Sequence, residues 1–273
     1  MKNNDKIGLI GCGNMGSAIL AQGLKHRIGK FIVYEKDPAL ASVIGSEFKV
    51  ELALDVSELV RRVSAVIIAV KPQDFDPVLG QILHGVREHE KDNLLVISIA
   101  AGIPTAYIEK KLTSAVRVIR AMPNMPVKIG EGVTALIKGR FAGDKDMELA
   151  GKIFGALGIT LVVTKESLMD SVTAISGSGP AYLFYIFNAM ETAAKSLGLN
   201  QKEADRLVYH TVTGAMHLLE KEKFDAEGLI AKVASKGGTT EAALRVFDEK
   251  KMGEILQEAI RACHKRAQEL SRR

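Results

Sequence analysis

Along the first part of the chain, short runs of apolar and β-branched residues alternate with stretches whose apolar positions recur at helical spacing. Residues 6–10, 31–35, 65–70, 94–99, 116–119, 133–137 and 159–164 predict strands. Several are apolar at nearly every position, as in parallel strands covered on both faces. Helices are predicted between them at 15–25, 38–45, 56–63, 75–83, 104–112 and 145–157, with Pro104 suited to a first helical turn and Asp144 to a cap. Strand and helix in repetition predict an α/β fold, a Rossmann-type doubly wound sheet.

After about residue 165 the strand signal stops. Residues 167–197 read as a long helical region bent at Gly177-Ser178-Gly179-Pro180. Asn200 with Glu203 three residues later makes a capping box for a helix to about residue 223. Asp225 opens another helix, Thr239 or Thr240 a third, and 253–273 ends the chain. The expected organisation is a dinucleotide-binding domain over 1–165 and an all-helical dimerisation and substrate domain over 166–273. Tyr182, Leu183, Phe184, Ile186 and Phe187 make one helix apolar around most of its circumference. A small helical bundle has difficulty covering that surface alone, which points to a second subunit.

Composition removes several alternatives. In 273 residues, 47% hydrophobic and 25% charged content excludes disorder as the main state. No apolar run approaches the roughly 18 residues of a membrane span, so no membrane partner is expected. Lys+Arg 37 against Asp+Glu 32 gives +5, which suits small anionic ligands. Aromatics are 5%, with no basic stripe between them, so nucleic acid is not an expected partner. Cys12 and Cys263 are too few for a disulfide framework and read as reduced thiols in a cytoplasmic protein. Asp5 and the glycines after it interrupt any signal-peptide core at the N-terminus. The six histidines have no ligand spacing, and no metal site is expected.

The chemistry concentrates in a few segments. Gly11, Gly13 and Gly16 form G-x-G-x-x-G between an apolar strand and a helix, with Asn14 and Met15 at the helix start. The first glycine allows the turn, the second lets backbone approach a pyrophosphate, and the third lets helix and strand pack closely. Glu35 stands 19 residues after Gly16, where an acid reads the ribose 2′-hydroxyl of NADH, while its neighbour Lys36 suits the 2′-phosphate of NADPH. The preference between the two cofactors stays open. Val70-Lys71-Pro72, the loop bearing Ala100, and Asn124 between Pro123 and Pro126 leave the sheet where ligands bind in such folds. In the helical half, Ser235, Gly237, Gly238, Thr239 and Thr240 combine backbone N–H groups and hydroxyls at a helix start, a carboxylate site without a basic residue. The same spacing fits a glycine C-cap followed by a threonine N-cap.

With these pieces in order (GCGNMG at 11–16, AVKPQ at 69–73, RAMPNMP at 120–126, TAISGSGPAY at 173–182, VASKGGTTEAAL at 233–244), the sequence resembles the pyrroline-5-carboxylate reductase family over nearly its whole length. Lys236 departs from the pattern, which has proline there. The resemblance implies reduction of 1-pyrroline-5-carboxylate to L-proline with NADPH or NADH, the last step of proline biosynthesis. It implies a homodimer, with a larger ring of dimers left open. It assigns Thr240 to the ring nitrogen as the catalytic contact, and Ser235 with the Gly238–Thr239 backbone to the carboxylate. Whether Thr240 donates a proton or only orients the ring stays open. A protonated imine is already electrophilic, so positioning can supply much of the rate. A β-hydroxyacid dehydrogenase of the same architecture needs a lysine base before an asparagine. Here Tyr185 and Phe184 stand before Asn188, and Lys195 is expected to pair with Glu191. A non-catalytic NAD(P)-binding sensor would have no use for the GGTT helix start.

Overall fold

In the computed structural model, which describes residues 6–88, 93–112 and 116–272, eight strands form one sheet. They are β1 (Lys6–Ile10), β2 (Lys30–Tyr34), β3 (Glu51–Leu52), β4 (Ala65–Ile68), β5 (Leu95–Ser98), β6 (Arg117–Met122), β7 (Gly132–Lys138) and β8 (Gly158–Val162). Their spatial order is β3-β2-β1-β4-β5-β6-β7-β8, and every neighbouring pair is parallel except β6 with β7. Alternation along each strand divides the core in two. Leu9, Ile67 and Ile97 face one apolar layer, whereas Ile10, Ile68 and Val96 face the other. The first layer is closed by α1 (Asn14–Lys25), α2 (Pro38–Phe48) and α6 (Asp144–Gly155) through Ile19, Ile44 and Phe154. The second is closed by α3 (Val56–Arg62), α4 (Phe75–Glu88) and α5 (Thr105–Leu112) through Leu59, Ile82 and Ile108. Each such buried side chain contributes roughly 1.5–3 kcal/mol relative to exposure. The central strands are apolar throughout because both faces are covered.

Helix starts follow local chemistry. The Asp37 carboxylate accepts from the Ala39 and Leu40 N–H groups before α2, and Asp55 accepts from Glu58 N before α3. Asp144 is not a cap: Gly143 takes that position, Asp144 is the first helical residue, and Asp146 accepts from Gly143 N at 2.8 Å. Pro104 likewise sits just before α5, its carbonyl accepting from Tyr107 and Ile108 N–H, rather than within the first turn. Strand β3, two exposed residues beside β2, is too short to register as periodicity.

The described residues beyond the sheet form α7 (Leu168–Val172), a π turn over Thr173–Gly177, α8 (Gly179–Ser196), α9 (Gln201–Lys221), α10 (Ala226–Val233), α11 (Thr239–Glu249) and α12 (Met252–Ser271). The π turn ends at Gly177, where the expected bend begins, and α8 starts at Gly179 within it. Asn200 and Glu203 exchange the two bonds of a capping box, and Asp225 caps α10 through Gly228 N. By packing, the chain divides into Met1–Ser178 with Cys263–Arg273, and Gly179–Ala262, so the end of α12 belongs with the sheet. Among the described residues no helix is long and apolar enough to cross a membrane, and Cys12 and Cys263 are free thiols.

Candidate active site

The turn from β1 into α1 is built by close backbone contacts. Gly11 has φ +88°, its N–H donates to the Tyr34 carbonyl at 2.8 Å, and a Cβ there would lie 2.9 Å from Val70 Cγ1. A Cβ on Gly16 would overlap the Gly11 carbonyl oxygen, so the third glycine sets how closely helix meets loop. Gly13 differs: a Cβ there would meet nothing within 4 Å. It sits exposed at the cap position of α1, with no side chain bonded across the helix end. Open space before a bare helix N-terminus fits a pyrophosphate.

Below the turn, Glu35 Oε2 accepts from Cys12 N at 2.7 Å and Oε1 accepts from Asp37 N at 3.1 Å. The carboxylate thus braces the glycine loop from the end of β2. Burial, helped by the nearby Glu35 charge, pushes the Cys12 thiol up to about 12, so it stays protonated and unreactive.

Gly11, Gly13, Glu35, Lys36, Val70 and Lys71 share the lining of one cavity of about 480 Å³. At this cavity Lys36 Nζ pairs with Asp74 Oδ1 at 2.8 Å, and that carboxylate holds the ammonium above the ordinary lysine value. Sequence reasoning passed over Asp74, although it lies in the same AVKPQDF segment, three residues after Lys71. It also passed over Tyr34 and Leu40, which line the same cavity.

Asn14, Met15, Gly16, Pro72, Ala100 and Asn124 lie outside that lining. Asn14 opens α1 and Met15 packs against the core beneath it. Pro72 begins a short 3-10 turn, and Ala100 is buried just past β5 with its N–H on Ser98 Oγ. The Asn124 amide is engaged inside the protein: Oδ1 accepts from Val133 N at 2.9 Å, and Nδ2 donates to Ser176 Oγ at 3.3 Å.

In the helical unit, Gly238 N donates to the Ser235 carbonyl at 3.0 Å, and Gly237 takes φ +74°. Gly238, not a threonine, holds the cap position of α11; Thr239 and Thr240 are its first two helical residues. No side chain caps that end, so its first-turn N–H groups have no side-chain capping partner. Thr240 is half-buried, and Ser235 and Thr239 are exposed. Gly237 N is already taken by Glu241 Oε2 at 2.6 Å, a contact with no signal in the motif. Lys195 does not pair with Glu191. Its Nζ donates to Gln201 Oε1, and Glu191 instead meets Asp205, whose carboxyl raises it above the ordinary carboxylate range.

A family model described as pyrroline-5-carboxylate reductase dimerisation matches residues 166–270, and one described as NADP oxidoreductase, coenzyme F420-dependent, matches 6–102. The pyrroline-5-carboxylate reductase of Mycobacterium tuberculosis is 35% identical, over 97% of this chain and 96% of its own. The solved pyrroline-5-carboxylate reductase of Coxiella burnetii is 32% identical with TM-score 0.89, covering 99% of this chain and 100% of its own. The Plasmodium falciparum pyrroline carboxylate reductase, solved with NADP bound, is 26% identical with TM-score 0.88, covering 98% of this chain and 99% of its own. At such identity over nearly the whole length of both chains, with the same fold, the chain belongs to the pyrroline-5-carboxylate reductase family of NAD(P)H-dependent oxidoreductases.

Proposed function

We propose that this protein reduces 1-pyrroline-5-carboxylate to L-proline with NADPH or NADH, as the last step of proline biosynthesis. The observation that carries the reading is the start of α11, where N–H groups without a side-chain cap and two threonine hydroxyls stand together. A helix N-terminus with free donors favours a carboxylate by roughly 0.3–1 kcal/mol from the dipole, beyond its hydrogen bonds. Ser235 Oγ and the Thr239 N–H hold the substrate carboxylate, the Gly238 N–H being engaged by the Ser235 carbonyl, and Thr240 Oγ1 meets the ring nitrogen. The bound nicotinamide supplies the hydride. The residues orient an imine that is electrophilic once protonated, so the site needs no strong general acid. The NADP in the Plasmodium falciparum relative and the open space at Gly13 both support the cofactor assignment.

The active form is a homodimer joined through the helical unit. The match to a dimerisation model supports this, as does the exposure of Leu183, Phe184 and Tyr185 on α8. We place the enzyme in the cytoplasm, where free thiols such as Cys12 and Cys263 persist. The test is loss of nicotinamide absorbance on adding pyrroline-5-carboxylate, with each cofactor in turn. Folded, nucleotide-binding protein that turns over neither would overturn the activity. Comparable oxidation of a β-hydroxyacid would move the assignment to that class.

A further inference from the structure

The last turn of α12 closes on the loop that leaves β5. Gly102 in that loop has φ +73°, and a Cβ there would lie 2.9 Å from Leu270 Cβ and 3.1 Å from the Leu270 carbonyl oxygen. Only a glycine lets the helix end come so near. Ser271 Oγ then donates to Asp170 Oδ1 at 2.7 Å, a carboxylate only 8% exposed on α7. Ala267, one turn earlier, is buried as well. From the strand side, Ser98 Oγ accepts from Ala100 N at 3.2 Å. Residues 99–102 are therefore held between the end of β5 and the last turn of the chain. All these groups lie in the same compact unit. The glycine turn after β1, the end of β2 and the segment leaving β4 line the Lys36 cavity, where the adenosine half belongs, while β5 and β6 lie beyond β4, where the other half of a dinucleotide extends.

We propose that Gly102, Asp170 and Ser271 are positioning residues for the nicotinamide half of the cofactor. The C-terminal turn presses the loop bearing Ala100 into place, and the Ser271–Asp170 bond holds that turn. The inference rests on the cofactor reading above and not on the identity of the imine. It is tested on the full-length protein with Ser271→Ala, with Ser271→Thr, and with a chain ending at Glu269. For each, dissociation constants are measured for NADPH and NADH, and for adenosine 2′,5′-bisphosphate and AMP as their adenosine halves. Ser271→Ala and the shortened chain should weaken the intact dinucleotides about fivefold or more and leave the adenosine halves unchanged. Ser271→Thr, which keeps the hydroxyl, should restore the wild-type values. Equal weakening of whole and half ligands, or a lowered melting temperature with unchanged binding, would overturn the proposal. Because the readouts are binding constants, failure of imine turnover in the wild-type protein would strike the proposed activity alone.

Discussion

At the scale of the residue, cofactor choice turns on three side chains at one cavity. Glu35 gives one oxygen to Cys12 N and the other to Asp37 N, yet a carboxylate has about four lone-pair sites, so ribose hydroxyls can still be accepted. Its charge opposes a 2′-phosphate, and Asp74 both adds negative charge and holds Lys36. Asp74→Asn should free the lysine for a phosphate. The pair is exposed and screened by solvent, so the ratio of kcat/KM for NADPH over NADH should rise only modestly, by up to about fivefold. Glu35→Gln should move the ratio the same way, by about tenfold, since a charged acceptor is worth roughly 1.5–3 kcal/mol. It should also weaken both cofactors, because the glycine loop loses part of its brace. Unchanged ratios in both variants would leave Glu35 a loop support and Lys36 a surface residue.

At the scale of the element, what was legible in the sequence was what is local. Asn200 and Asp225 cap helices within three residues of themselves, as their spacing reads, and the central strands announce themselves by apolar runs buried on both faces. The caps Asp37 and Asp55, however, were passed over, and Asp144 falls one residue inside its helix. Contacts between distant segments were not legible. Glu35 reaches Cys12 across 23 positions, Asn124 reaches Ser176 across 52, and Ser271 reaches Asp170 across 101; nothing in the spacing marks those pairs. The GGTT segment shows both cases. Its glycines and threonines were readable, but Gly238 rather than threonine takes the cap, and Glu241 returns to Gly237 N. Lys236 stands where the family pattern has a stiffening proline, and the Glu241 bond ties down the residue next to it. Glu241→Ala should therefore raise KM for the imino acid several-fold, with the cofactor KM unchanged. Glu241→Gln keeps an acceptor and should stay near wild type. Parallel rises in both KM values would assign Glu241 to helix stability instead.

At the scale of the whole molecule, the two units differ sharply in what they bury. The sheet unit has two apolar layers of fully covered side chains, whereas within Gly179–Ala262 only Ala204 and Val208, among the described residues, are buried. Phe184 is 64% exposed and Tyr185 78% exposed, and Leu207, Met216, Ile230 and Phe247 are also open. A helical unit of that size gains little against its conformational entropy from two buried side chains, and the match to a dimerisation model suggests that a second copy covers the rest. Phe187 is only half-buried, and Phe184 is the better probe of that interface. Phe184→Glu places an unpaired carboxylate there, a cost of about 3 kcal/mol or more, which weakens dimerisation by at least about a hundredfold. At assay concentrations the variant should run as a monomer by light scattering and lose imine reduction. The glycine turn of the sheet unit should still bind the adenosine half of the cofactor, because the cavity beside it is lined wholly from residues 10–40 and 69–81. A Phe184→Glu protein that remains dimeric and active would locate the interface elsewhere, and an active wild-type monomer would make the helical unit self-sufficient.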